Sequence, residues 1–312
     1  MKLFGFAMVK NECDIIEQFV RVNLRVLDEL HIIDDGSNDG TNDILSKLKT
    51  EGLNVTVYYH RQQDVQQQSY LMTSLLRMTS NAGWDHAFLL DGDEFLLNSR
   101  DELEADLVAH CRDHFGLLGW RTFVPHRERA QDCAGIDLSG FAPRRQERIE
   151  ISKVVIPRHL LSEHVQVSVG NHFAVTSQHF SQTHRRLESR LGHVPIRSID
   201  QLVNKAVIGA HLMNIKQNRL KGETTHWETM AKAIRAKRFR LTFSDLQEFA
   251  YGFPGDPLPV ESSNIDVDGP GLVSQESLYS DLARINISEN FDRFCLSLVS
   301  RYLEATDAKM AA

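Results

Sequence analysis

The chain has 312 residues, 42% of them hydrophobic and 25% charged, with a formal net charge of −7 and a pI near 6.1. That length holds one large α/β domain, or one domain with a smaller appendage, and the acidic balance argues against a general nucleic-acid binder. No apolar run approaches the ~20 residues of a membrane span, and Cys13, Cys111, Cys133 and Cys295 show no CxxC spacing. They read as reduced thiols of a cytoplasmic protein rather than a disulfide framework.

Residues 1–10 are too short for a secretory signal, lack a small-residue cleavage site and run into charged Lys10-Asn11-Glu12, so they read as a first strand over 3–9. Apolar Ile16, Val20, Leu24 and Leu27 then predict a helix over 14–27, with Asp14 as cap and Glu17 completing a capping box. A strand at 30–34, a helix at 42–50, a strand at 54–59, a helix at 66–80, a strand at 86–90 and a helix at 101–115 follow. This alternation implies a parallel sheet covered on both faces. After Gly116 the pattern changes. Strands are expected at 117–124, 150–156 and 165–169, around a long arginine-rich stretch at 125–148. Helices are expected at 199–214, again from 225 onward, and at 275–303 beyond a Pro/Gly-rich 252–271 segment. The division expected is 1–215 for the α/β domain and 216–312 for a mainly helical C-terminal extension.

Two strand ends carry the chemistry. Phe88-Leu89-Leu90 runs into Asp91-Gly92-Asp93-Glu94, three carboxylates within four positions. Such groups repel each other out of water unless a cation compensates, and a hard divalent ion shared with a diphosphate is a natural partner. Gly92 would let the backbone turn so that neighbouring carboxylates face one site. Upstream, Leu30 to Ile33 runs into Asp34-Asp35-Gly36-Ser37-Asn38-Asp39-Gly40-Thr41. In an open parallel sheet ligands collect outside the carboxyl ends of strands, so both loops belong at one sheet edge. Either loop alone is also the composition of a solvated turn.

Together, and in this order, these motifs resemble the GT-A glycosyltransferases, in particular a family-2-like bacterial group. Its "KNE" is matched by Lys10-Asn11-Glu12, its "IxDDGSxDGT" by Ile32 to Thr41, and its "DxDEF" by Asp91 to Phe95. Its later "HxPxRS" stretch is matched by His193 to Ser198, continued by Gln201, Lys205 and Gly209. The resemblance covers roughly 3–210. It implies a nucleotide-sugar-binding α/β fold, with a mostly parallel sheet flanked by helices, and a transferase that uses Mn²⁺ or Mg²⁺. The donor would be a nucleotide sugar, UDP-linked by family habit. The acceptor would be a glycan or lipid-linked molecule of surface polysaccharide or lipopolysaccharide synthesis, met in the cytoplasm or at the inner membrane face. Peripheral membrane association and oligomeric state stay open.

Carried over residue by residue, the resemblance makes Asp91 and Asp93 metal ligands and Asp93 and His193 catalytic. Lys10, Asn11, Glu12, Asp34, Asp35, Arg61, Asp91, Lys153, His172, Arg197 and Lys205 would bind the donor. Glu94 is left between the site and the scaffold. His172 enters through Gly170-Asn171-His172, which resembles a family "GNH" turn. His159, His179 and His184 read as surface or satisfied core. Transfer with inversion needs a general base. Glu128, Asp132, Asp137, Glu147 and Glu150 lie in the right region, and no motif chooses among them. Two rivals remain. A nucleotidyltransferase would place a glycine- and basic-rich triphosphate loop where Lys10-Asn11-Glu12 stands. A non-catalytic nucleotide-sugar or glycan-binding module would lose the metal carboxylates.

Overall fold

Hydrophobic residues on both faces of the first strand set the layout. In the computed structural model, which describes residues 1–60, 67–127, 135–176, 184–215, 225–269 and 271–285, β1 (Leu3–Val9) is buried along almost its whole length. Leu3, Ala7 and Val9 enter one core, and Phe4 and Phe6 enter another across the sheet. This is the period-two alternation of a strand covered on both sides. α1 (Ile16–Asn23), β2 (Glu29–Asp34), α2 (Thr41–Thr50), β3 (Val55–Tyr59), α3 (Gln68–Met78) and β4 (His86–Asp91) follow. The four strands pair in parallel in the order β3-β2-β1-β4. The register sets Val9 opposite Asp34 and Met8 opposite Asp91, so the two acidic strand ends flank the end of β1.

β5 (Glu94–Leu96), α4 (Arg100–His110), β6 (Phe115–Pro125), β7 (Phe141–Pro143), β8 (Ser152–Pro157) and β11 (His184–His193) complete a nine-stranded sheet. A separate ribbon pairs β9 (Val165–Val167) with β10 (Ala174–Thr176). The large sheet is mainly parallel. β8 runs against β4 and β6, β7 against β6, and β5 against β11. β5 lies at the sheet edge, where the buried Asn23 amide donates to Glu94 O (2.9 Å) and accepts from Leu96 N (2.9 Å). α1 thereby satisfies backbone groups that an edge strand leaves open.

α5 (Ile199–Ile215), α6 (Thr225–Ala236) and α7 (Phe243–Gly252) form a third core over the end of β6 and β7, with Val124, Ala142, Ile196, Met230 and Phe249 buried together. No helix among the described residues is long and apolar enough to cross a membrane.

Three expectations change. The helix expected over 14–27 spans only 16–23, and Asp14 does not cap it. The helix expected from 275 is, over 275–285, an extended strap with one 3-10 turn at Ser280–Leu282. Its backbone donors are met from α1: Gln275 N donates to Gln18 (2.9 Å), and Leu278 N and Tyr279 N to Glu17 (2.9 and 3.0 Å). The rest of that expectation lies outside the described residues. Gly92 does not need a left-handed φ. An added Cβ there would come 3.0 Å from Val9 and 3.4 Å from Glu12, so glycine serves close approach.

Candidate active site

The first loop is held by its own carboxylates. Asp34, 1% exposed, accepts from Ser37 N (both oxygens at 3.2 Å) and from the Asn42 amide (2.7 Å). Buried Asp39 accepts from Cys13 N (3.1 Å) and from Thr41 N and hydroxyl (3.0 and 2.6 Å). Asn11, at φ 56°, donates from its backbone to Ser37 (2.9 Å) and accepts from Asn38 N (2.9 Å). The segment after β1 and the loop after β2 are thus stitched together. Asp34, expected to contact the nucleotide, is instead taken up in folding the loop. Asp35 stays at the rim, 2.8 Å from His60 Nδ1 and 3.4 Å from the exposed Lys10 ammonium. Arg61 lies outside the described residues.

The second loop draws its partners from distant parts of the chain. Lys153, 1% exposed, donates to Asp91 (2.5 Å) and to Gly170 O (2.7 Å), with Glu94 at 3.5 Å. Asp91 also accepts from the Asn171 amide (3.3 Å) and from Gln68 (3.5 Å). Glu94 is fully buried and accepts from Asp91 N (2.8 Å) and the Trp120 indole (2.5 Å). Burial holds the Glu94 carboxyl well above the ordinary range, Lys153 acting against it. Burial also opposes the Lys153 charge, but Asp91 and Glu94 outweigh it and keep the ammonium protonated.

Asp93 is different. It is 8% exposed, and its carboxylate accepts no hydrogen bond within 3.5 Å from a described residue. Three basic side chains stand just beyond that reach: Arg197 at 3.6 Å, Lys205 at 3.7 Å and His193 Nε2 at 3.9 Å. Arg197 is fully buried and grips Asp14 through a fork (2.7 and 2.9 Å), while also donating to Glu12 (2.6 Å). Arg197, expected at the donor, thus places its fork on the scaffold carboxylates. Burial opposes its charge, and Asp14 and Glu12 more than restore it. Glu12, expected at the donor, sits between Arg197 and Lys205 (2.7 Å), its carboxyl raised by burial.

His193 ends β11. Its ring stacks on Trp120 at 3.8 Å and tilts against Phe253 at 5.4 Å, and its buried Nδ1 has no hydrogen-bond partner among the described residues. Burial, reinforced by Lys153, drives its pKa well below the usual histidine value, so the ring is neutral. His172 Nδ1 donates to Ser152 O (3.0 Å), and the ring meets Trp120 edge-on at 6.1 Å. Burial and Lys153 lower it too. Of the base candidates, Glu128 and Asp132 lie outside the described residues. Asp137 accepts from Ser139 N (2.9 Å), Glu147 binds Thr122 and Arg144, and Glu150 forks with Arg186.

Sequence reasoning missed Asp14, His60, Gln68, Trp120 and Asn171. Asn171 stands inside the "GNH" turn and had a signal; the others had none beyond residue type.

Among the described residues no three His, Cys, Asp or Glu side chains form a metal cluster. The donor set nevertheless suits a hard ion that keeps waters and substrate oxygens. The Asp93 carboxylate accepts no hydrogen bond from a described residue, and a neutral imidazole lies beside it.

Residues 7–113 match the family model described as Glycosyl transferase family 2. The likeness to family 2 glycosyl transferases is carried by that stretch. It contains both acidic loops, while Lys153, His193, Arg197 and Lys205 reach the loops from beyond the matched stretch. No curated protein matches the chain. Among solved structures, TarS 1–349 from S. aureus is similar at 13% identity and a TM-score of 0.37, over 81% of this chain and 79% of that one. GalNAc-T7 with UDP, GalNAc and Mn²⁺ is similar at 12% identity and a TM-score of 0.40, over 80% and 53%. The mannosyltransferase PcManGT from Pyrobaculum calidifontis, in complex with GDP-Man and Mn²⁺, is similar at 18% identity and a TM-score of 0.31, over 38% and 35%. The chain thus spans about a third of the mannosyltransferase and about half of GalNAc-T7.

Proposed function

We propose that this chain transfers a sugar from a nucleotide-diphosphate donor, with UDP as the first nucleotide to test, to a glycan or lipid-linked acceptor. The observation that carries the reading is Asp93, a nearly buried carboxylate in the turn after β4 that accepts no hydrogen bond from a described residue, ringed by Arg197, Lys205 and His193. Asp93 would hold Mn²⁺ or Mg²⁺ together with donor oxygens. A divalent ion there would neutralise charge growing on the leaving diphosphate.

The chain's own residues divide the remaining work. Lys153 locks Asp91 in place, with Asn171 and Gln68, so that its 33% exposed side chain is preset toward the ribose or the ion. Lys205, 23% exposed, can give a charge-assisted hydrogen bond to the diphosphate. Arg197 is a positioning residue: it fixes Glu12 and Asp14 below the site and keeps positive potential under Asp93. Asp35, His60 and Lys10 form a rim suited to the nucleoside. Neutral His193 can donate a hydrogen bond as charge develops. Inversion at the anomeric carbon, and an acceptor in surface polysaccharide or lipopolysaccharide synthesis, are part of this proposal.

Incubation with UDP- and GDP-sugars and Mn²⁺ tests it through free nucleoside diphosphate. Release that stops on chelation is expected. Pyrophosphate release from a nucleoside triphosphate and a sugar phosphate would favour the nucleotidyltransferase reading. Donor binding without turnover on any acceptor would favour a binding module.

A further inference from the structure

A second cleft of about 490 Å³ opens where β6 and β11 meet the 144–151 segment. Arg121, Arg144, Arg145, Arg186 and Arg190 line it, against two glutamates, in a chain whose net charge is −7. Its carboxylates do not balance these cations. Glu147 is taken up by Arg144 (2.5 Å) and by Thr122 N (2.6 Å) and hydroxyl (3.0 Å). Glu150 forks with Arg186 at 2.7 Å. Arg121 and Arg145 share one aspartate, Asp266, each at 3.5 Å.

Arg190 is exposed and forms no ion pair within 4 Å with a described residue. Its guanidinium lies over Gly119, where an added Cβ would come 2.2 Å from Nη1, so the bare glycine backbone makes room for it. The cleft also shares residues with the acidic site. Trp120 lines the cleft, stacks on His193 and donates to Glu94. Arg144 lines it too, and reaches under the His193 pocket to Tyr251 O (2.8 Å) and Phe253 O (2.9 Å).

We propose that this cleft seats the acceptor, and that the acceptor is anionic, a saccharide or polyol bearing phosphate or carboxylate groups. The inference rests on the glycosyltransferase reading and adds the acceptor's charge to it. Guanidinium forks match the paired oxygens of phosphate and carboxylate, and several along one cleft favour a ligand with more than one anionic group.

The test is calorimetric titration of the whole chain, first saturated with UDP and Mn²⁺ so that the donor site is filled. The probes are glucose 6-phosphate, glucuronate and glucose. Both anions should bind and glucose should not. Arg190→Ala should weaken both anions about tenfold, as expected for loss of one charged hydrogen bond, and Arg190→Lys by less, with UDP affinity unchanged. Equal binding of glucose, or anion affinity indifferent to Arg190, would overturn the proposal. So would sedimentation with phosphatidylglycerol vesicles that Arg190→Glu abolishes while phosphate and carboxylate sugars fail to bind, since that would make the cleft a membrane contact. Failure of UDP to bind would strike the glycosyltransferase reading. UDP binding with anion affinity indifferent to Arg190 would strike this inference alone.

Discussion

The loop after β2 and the loop after β4 are built from the same kind of sequence, yet their carboxylates meet different partners. Asp34 and Asp39 accept hydrogen bonds from residues within the loop or from the segment after β1. Asp91, Asp93 and Glu94 face Lys153, Arg197, Lys205 and His193, the cited pairs lying 62 to 112 positions apart in the chain. A carboxylate satisfied by local N–H groups is structural. One that is held among cations without direct hydrogen bonds keeps its lone pairs for a ligand. Composition alone cannot separate the two cases, since an acidic glycine-rich loop reads the same in both.

The strongest way to break the comparison is to remove the cation under the second loop. Arg197→Ala leaves Asp14 buried without its counter-charge and Glu12 with Lys205 alone, and should cost about 3–5 kcal/mol in urea unfolding. A loss under ~1 kcal/mol would show that the network is not the support described. Next comes Asp93→Asn, which keeps shape and removes charge. It should lower turnover by about 10²–10³-fold, the scale of losing one electrostatic contact to the transition state. Its melting temperature should stay within a few degrees, because Arg197 retains Asp14 and Glu12.

The first loop should respond in the opposite way. Asp34→Ala leaves Ser37 N and the Asn42 amide without their acceptor, and should destabilise by about 1–3 kcal/mol. A variant as stable as the parent, but unable to bind donor, would return Asp34 to the ligand.

Proton sensitivity sharpens the contrast. His226 packs against the Phe253 that also touches His193, and burial lowers it to about 4 from the ordinary 6.5. The folded state therefore stays neutral while the unfolded state takes up a proton. The stabilisation is complete above pH 6.5 and falls as pH drops toward 4. Between pH 6.5 and 5 this amounts to about 2 kcal/mol. In His226→Gln the pH dependence of unfolding should flatten by that amount, and an unchanged slope would contradict the assignment. The smallest effect is expected of Asp35→Ala at the rim. Losing one partly exposed hydrogen bond should weaken donor binding about fivefold, with stability almost unchanged.

Much of this was readable in the chain. The strand–helix alternation as far as 110 is carried by local periodicity, and the acidic loops end strands that the register brings level. β11 escaped because its exposed side is Arg185, Arg186, Glu188 and Arg190, and a shift in register between Arg186 and Arg190 breaks the buried alternation. The partnership of Asp14 with Arg197 spans 183 positions, so Asp14 read as a helix cap by its neighbours alone. Trp120 gave no signal, since nothing local marks an indole that will stack on His193. The strap over 275–285 was read as helix because its sequence does not show that Glu17 and Gln18 will meet its backbone donors.

The central claim is that Asp93 holds a divalent ion shared with the donor diphosphate. Calorimetric titration of UDP into the wild-type chain and into Asp93→Asn, each with and without Mn²⁺, tests it most directly. The account predicts tight binding only for wild type with Mn²⁺, and weak binding indifferent to Mn²⁺ for the variant. The same Mn²⁺-dependent affinity in both proteins would contradict it.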